Sequence, residues 1–219
     1  MNSSLPSNEV IPPGCEIYIL LGGRLHQPSP MVQGVLIFII IINILTFPFT
    51  AVLNALTMLA VKVKPRLRAQ KSNILLALLA STDFIVGVIV QPVFIVLIIT
   101  FLLDESSGGA CTLQVFLLPA GSCLATASLF HLALISAERY LAMKHPFAYI
   151  TLVTEARLLL ASVLAWVLSI TLRIPLAVDR TVFFTVTNVF IGLSISFIVF
   201  CHVAVYLETR RHEQQIAAQ

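Results

Sequence analysis

Five stretches of this chain, approximately 32–61, 73–101, 112–137, 158–176 and 182–207, are almost wholly apolar. Crossing about 30 Å of hydrocarbon takes roughly 20 helical residues, so each stretch is long enough to span a membrane. The expected fold is an all-α membrane protein with five transmembrane helices. Composition agrees, with 58% hydrophobic and 11% charged residues, against about 25% charged in a soluble domain.

Charge sorts the connecting loops. Ten basic residues fall on one side: Lys62, Lys64, Arg66, Arg68, Lys71, Arg139, Lys144, Arg157, Arg210 and Arg211. Only Arg24, Arg173 and Arg180 fall on the other. Cytoplasmic loops carry the excess of Lys and Arg, so the N-terminus is expected outside. Residues 1–31 then form an extracellular segment, 32–207 the transmembrane domain and 208–219 a cytoplasmic tail. The first 30 residues lack a basic leader region, so no cleavable signal peptide is expected, and Asn2 begins a glycosylation sequon. The net charge of +3 reflects this asymmetry and does not point to nucleic acid. The basic loop between the first two spans suits orientation and contact with anionic lipid. Neither a glycine-rich phosphate loop nor metal-ligand spacing is present. Of the four cysteines, Cys15 and Cys111 share the oxidising outer side and can pair, whereas Cys123 and Cys201 read as small packing residues.

Polar residues inside apolar spans carry the functional signal. Asp83 is the one acid within a span, at an expense of about 2.5–3.5 kcal/mol in mid-bilayer. With no cation at its depth it should be protonated, hydrated or bound to a cation. Ser128 is a neighbour able to hydrogen-bond it. Asn54 reads as an interhelical hydrogen-bonding group, Pro48 as a kink and Trp166 as a buried mid-span ring. His131 and His202 stand on different spans without a carboxylate partner, so no catalytic set converges and an enzyme is not expected. A channel or transporter would need polar residues at several depths or paired repeats. Ser128, Leu132, Ile135 and Arg139 share one helix face, which ends in the triplet Glu138-Arg139-Tyr140. Adjacent helix residues point about 100° apart, so Glu138 and Arg139 need a bend to meet. An isolated Arg in this place would simply reach headgroups.

The triplet at the inner end of a third span, followed by Pro146 and Tyr149, resembles the rhodopsin-like (class A) G protein-coupled receptors. Asn54 of the first span, Asn73, Asp83 and Pro92 of the second, and Trp166 followed by Pro175 in the fourth also fit that pattern. The resemblance implies five helices of a seven-helix receptor bundle in the plasma membrane. It implies coupling to a heterotrimeric G protein through Glu138, Arg139, Tyr140, Pro146 and Tyr149, with Tyr206 supporting Arg139 in the active state. It gives Asn54, Pro92, Trp166 and Pro175 packing roles, Asn54 tying span 1 to spans 2 and 7. It makes Asp83 and Ser128 candidates for an allosteric sodium ion whose remaining ligands come from the seventh span. No other cofactor or metal is implied.

Departures from the pattern shape the ligand expectation. Cys111 lies about one turn earlier than the usual cysteine and the second outer loop has none, so the family's usual disulfide is not expected and Cys15 is the one outer-side candidate. Gly121 stands where amine receptors place an Asp, so a bioamine ligand is disfavoured. Span 5 lacks the usual Pro, with Ile198 in its place, as in the adenosine-, melanocortin- and cannabinoid-like group. Gln91, Gln114, Leu117, Leu118 and Gly121 are the pocket candidates and suit a neutral or lipid-like extracellular ligand. The resemblance covers five spans, so the expected reading is a receptor truncated after the fifth. The alternatives are a non-signalling product that pairs with another receptor chain, or a small channel or transporter.

Overall fold

The computed structural model describes residues 29–68, 70, 72–103, 108–177 and 179–217. Among these the chain is helical, and five long helices carry the fold: α1 Pro30–Val63, α2 Ser72–Leu102, α3 Gly108–Lys144, α4 Glu155–Thr171 and α5 Arg180–Ala217. Pro30 starts α1, where its missing N–H is no loss, and the Ser29 hydroxyl accepts from the Val32 N–H at 3.4 Å. The helix runs through Pro48 and stops at Lys64, whose backbone turns extended before Pro65, as a residue preceding proline prefers. α1, α2 and α5, and the Pro119–Lys144 part of α3, are each long and apolar enough to cross a membrane. α4 reaches that length only together with the short helix Pro146–Leu152, from which it is bent by 78°.

α2 is not uniform. Its turn Val86–Val90 is a π-helix lying just ahead of Pro92. A proline inside a helix leaves a carbonyl unpaired, and a π turn absorbs the mismatch with one extra residue. Gly87, within that turn, faces α1 so closely that a Cβ would sit 2.9 Å from the Ala51 backbone nitrogen. Small residues let membrane helices approach in this way.

α3 is the central element and packs against α2, α4 and α5. Three apolar clusters hold the bundle. Leu36, Ile98 and Phe101 join α1 to α2 at the outer end. Leu75, Val153 and Leu158, with Leu134, Ile135 and Tyr149, gather at the inner end. Phe130, Ala165 and Leu172, with Val186 and Phe190, join α3, α4 and α5. The buried stripe of α4 is Leu158, Ser162, Ala165 and Ser169, mostly small residues at helical spacing. The opposite faces expose large apolar side chains such as Phe38, Phe49, Leu160, Leu164 and Phe200, a surface that belongs in lipid.

Several boundaries differ from the hydropathy reading. The third apolar run was expected to end at the triplet, but α3 continues through it to Lys144. The fourth run extends to 176 in the sequence, yet α4 ends at Thr171, and Pro175 lies in the 3-10 turn Ile174–Ala177. Pro175 has no N–H to donate to the Thr171 carbonyl, which fits an α-helix that ends at that residue. α5 is unbroken from Arg180 to Ala217, so span and tail form one rod.

Candidate functional site

At the inner end, Glu138 is 3% exposed although it carries a carboxylate. Its Oε1 accepts the Tyr149 hydroxyl at 2.7 Å. Tyr149 lies on the short helix Pro146–Leu152, where Pro146 supplies the first turn. Burial raises the Tyr149 phenol above its ordinary value, and the hydrogen bond to Glu138 and that residue's charge push the same way, so the hydroxyl stays a donor at neutral pH. Arg139 Nε lies 3.4 Å from Glu138 Oε2, while the arginine side chain is 58% exposed. The neighbours therefore meet inside a continuous helix, and the expected bend is not required. Oε2 has no hydrogen bond, so Arg139 is held by charge alone and its guanidinium faces outward. Tyr140 turns away from the pair, packing on His145 and Phe200 at ring separations of 6.1 and 5.9 Å.

Tyr206, expected to support Arg139 in the active state, lies apart from it in this structure. It is exposed, with the Arg210 guanidinium 5.4 Å over its ring. Among the described residues no hydrogen bond or ring contact joins it to Arg139. Both partners sit on α5, one turn apart, where the local contact is available without any interhelical movement.

In mid-bundle, the Ser128 hydroxyl donates to Asp83 Oδ1 at 2.7 Å, and Ser128 Oγ lies 3.1 Å from Thr82 Oγ1. Thr82 is fully buried and belongs to this group, although the sequence reading passed over it in favour of the acid beside it. A carboxylate and two hydroxyls are hard oxygen donors of the kind an alkali cation takes, so the residues present fit a sodium ion. Among the described residues no group of three His, Cys, Asp or Glu side chains converges as a metal site. His131, also fully buried, donates through Nδ1 to the Ala127 carbonyl at 2.7 Å and pairs through Nε2 with Ser162 Oγ at 2.7 Å. It is a packed bridge between α3 and α4.

Two packing expectations need correction. Asn54 donates to the Thr50 carbonyl of its own helix at 2.8 Å, with no interhelical hydrogen bond among the described residues; the short amide reaches one turn back more readily than across a seam. Trp166 is half-buried and not enclosed. Among pocket candidates, Gln91 donates to Thr46 Oγ1 at 3.2 Å and so is engaged with α1. The extra residue of the π turn rotates everything after it by about 100° relative to a straight α-helix. Leu117 is buried, and a Cβ on Gly121 would meet Val90 of α2 at 3.2 Å, so α3 lies close to α2 there. Asn2, Cys15 and the side chains of Cys111, Gln114 and Leu118 lie outside the described residues.

The sequence reading missed an outer cluster. Arg173, taken as a loop cation, turns inward: Nη1 donates to Ser122 Oγ at 2.6 Å and Nη2 to Thr126 Oγ1 at 3.3 Å. Its guanidinium lies 4.9 Å over the Phe183 ring of α5. The detectable signal was a pair of hydroxyls four residues apart on α3, at a depth where the other side chains are apolar.

The model of the 7 transmembrane receptor (rhodopsin family) matches residues 53–219. The 5-hydroxytryptamine receptor 2B of Dichotomyctere fluviatilis is 33% identical over 57% of this chain and 26% of its own. The histamine H2 receptor of Rattus norvegicus is 36% identical over 54% of this chain and 32% of its own. The human 5-hydroxytryptamine receptor 1E is 30% identical over 68% of this chain and 39% of its own. The chain thus spans about a quarter to two fifths of the length of these relatives. Their names give no support to disfavouring a bioamine, nor do they confirm a nearer likeness to the adenosine-, melanocortin- and cannabinoid-like group.

Proposed function

The chain belongs to the rhodopsin family of seven-transmembrane receptors, and on that footing we propose that it carries a signal from an extracellular ligand to a heterotrimeric G protein. It is a multi-pass protein of the plasma membrane, in a family of receptors and not of enzymes. The observation that carries the proposal is Arg139: a permanent cation, more than half exposed, tethered to a buried carboxylate by charge without a hydrogen bond. A guanidinium is charged at any accessible pH and offers five donors, so one that is loosely held can transfer to carbonyl or carboxylate acceptors of a cytosolic protein. Glu138 cannot follow it, because Tyr149 anchors the carboxylate to the neighbouring short helix.

α3 links the two ends. The 17 steps from Ser122 to Arg139 rise about 26 Å as a single helix, so a shift of its outer half against α4 and α5 is transmitted to the triplet. Asp83, Ser128 and Thr82 would hold a sodium ion in mid-bundle, which when bound supplies positive charge that neutralises the aspartate. The residues themselves keep α2 and α3 in register through the Ser128–Asp83 hydrogen bond.

The test is nucleotide exchange on purified G protein by the receptor that contains this chain. Arg139→Ala should abolish ligand-stimulated exchange while leaving surface expression intact. Unchanged exchange would remove Arg139 from the mechanism.

A further inference from the structure

The outer cluster around Arg173 has a positive charge that no described residue neutralises. Ser122 donates its own proton to the Pro119 carbonyl at 3.0 Å and Thr126 donates to the Ser122 carbonyl at 2.7 Å. Both hydroxyls therefore meet the guanidinium as neutral acceptors. Asp179, the described acid nearest in the chain, instead caps α5, accepting the Thr181 and Val182 N–H groups at 2.6 and 3.1 Å. Among the described residues no carboxylate lies within ion-pair distance of Arg173.

Two polar atoms are left over. Arg173 Nε is buried with no acceptor, and so is the hydroxyl of Thr187, a residue 9% exposed. Thr187 follows Phe183 by four residues on α5, hence on the same face and one turn deeper. Phe183 is the ring beneath the guanidinium. A buried donor without a partner is strongly unfavourable, and a buried charge without a counter-charge more so. An arginine that only anchored the helix to headgroups would reach outward along the lipid boundary. This one is directed onto the hydroxyls of α3 and the aromatic face of α5.

We propose that Arg173, held in place by Ser122 and Thr126, forms with Thr187 an oxyanion-binding site between α3 and α5, taking the carboxylate of a ligand whose apolar part lies against Phe183 and Phe190. Arg173 Nε and the Thr187 hydroxyl supply the two unused donors, and the guanidinium supplies the charge. Planar guanidinium is suited to carboxylate geometry. The cluster binds one group of the ligand and leaves its other groups, an amine included, to other residues.

The proposal deepens the receptor reading but is tested without G protein, so its failure leaves the coupling role of Arg139 standing. The receptor containing this chain would be placed in phosphatidylcholine nanodiscs and its thermal unfolding followed with octanoate and 3-phenylpropanoate, each against its neutral amide. The acids should raise the midpoint and the amides should not. Arg173→Gln should abolish the difference, Arg173→Lys should retain part of it, and Thr187→Val should weaken acid binding about tenfold, the loss of one hydrogen bond. Should Arg173→Gln not fold, the Lys and Val variants still decide the matter. Adding phosphatidylglycerol separates the sources of the oxyanion. Stabilisation by that lipid which Arg173→Gln removes, with both acids ineffective, would uphold the site and assign its occupant to the membrane. Equal responses to acid and amide, an unaltered response in Arg173→Gln, or no response to acids or anionic lipid would overturn the proposal.

Discussion

Tyr149→Phe removes one oxygen and leaves the ring that packs near Leu75, Val153 and Leu158. What disappears is the 2.7 Å hydrogen bond to a carboxylate that is 3% exposed. Hydrogen bonds to charged groups contribute about 1.5–3 kcal/mol, and each 1.4 kcal/mol is a factor of ten in an equilibrium. If the bond belongs to the arrangement that retains Arg139 beside Glu138, its removal should raise the population with Arg139 released by about 10- to 100-fold. The assay is ligand-independent nucleotide exchange at matched surface expression, in which the variant should be clearly more active than the parent. Leu75→Ala is the control, since it weakens the same cluster by about 2–5 kcal/mol without touching the carboxylate. It should lower thermal stability and leave basal exchange unchanged. Basal exchange in Tyr149→Phe equal to the parent's, or matched by Leu75→Ala, would refute the restraint and reduce Tyr149 to a packing residue.

Three further outcomes follow from the packing. Gly87→Ala should destabilise the protein by about 1–3 kcal/mol, the range for overpacking, because its Cβ would press on the Ala51 backbone at 2.9 Å; thermal unfolding in detergent measures it, and a neutral result would mean that α1 and α2 separate freely. His131→Leu strands the Ser162 hydroxyl between α3 and α4 and should cost about 1–3 kcal/mol, whereas the double change with Ser162→Ala should recover part of that loss. Replacing sodium with choline should lower the unfolding midpoint of the parent and leave Asp83→Asn unaffected; equal sensitivity in both would exclude Asp83 as a sodium ligand.

The Ser128–Asp83 pairing was legible because depth made Ser128 one neighbour able to reach the acid and the family resemblance put both residues at one site. Gln91 shows where such reasoning stops. Its depth was readable, but its direction depended on a π turn that no hydropathy pattern marks. Arg173 shows the same limit from the other side: a cation near a span end reads as snorkelling until its neighbours are known. Asn54 and Tyr206, to which the resemblance gives interhelical roles, hold contacts one turn away on their own helices in this structure.

The sequence by itself determined that the chain crosses a membrane, roughly where it does so, and which residues are chemically out of place there. Hydropathy and length are sums along the chain, and lipid enforces them without reference to any fold. The tertiary structure alone decided which way each described polar side chain points and that Arg173 has no counter-charge among the described residues. Those outcomes depend on azimuth around each helix and on what the neighbouring helix presents, which a turn with one extra residue or a proline-ended helix is enough to change.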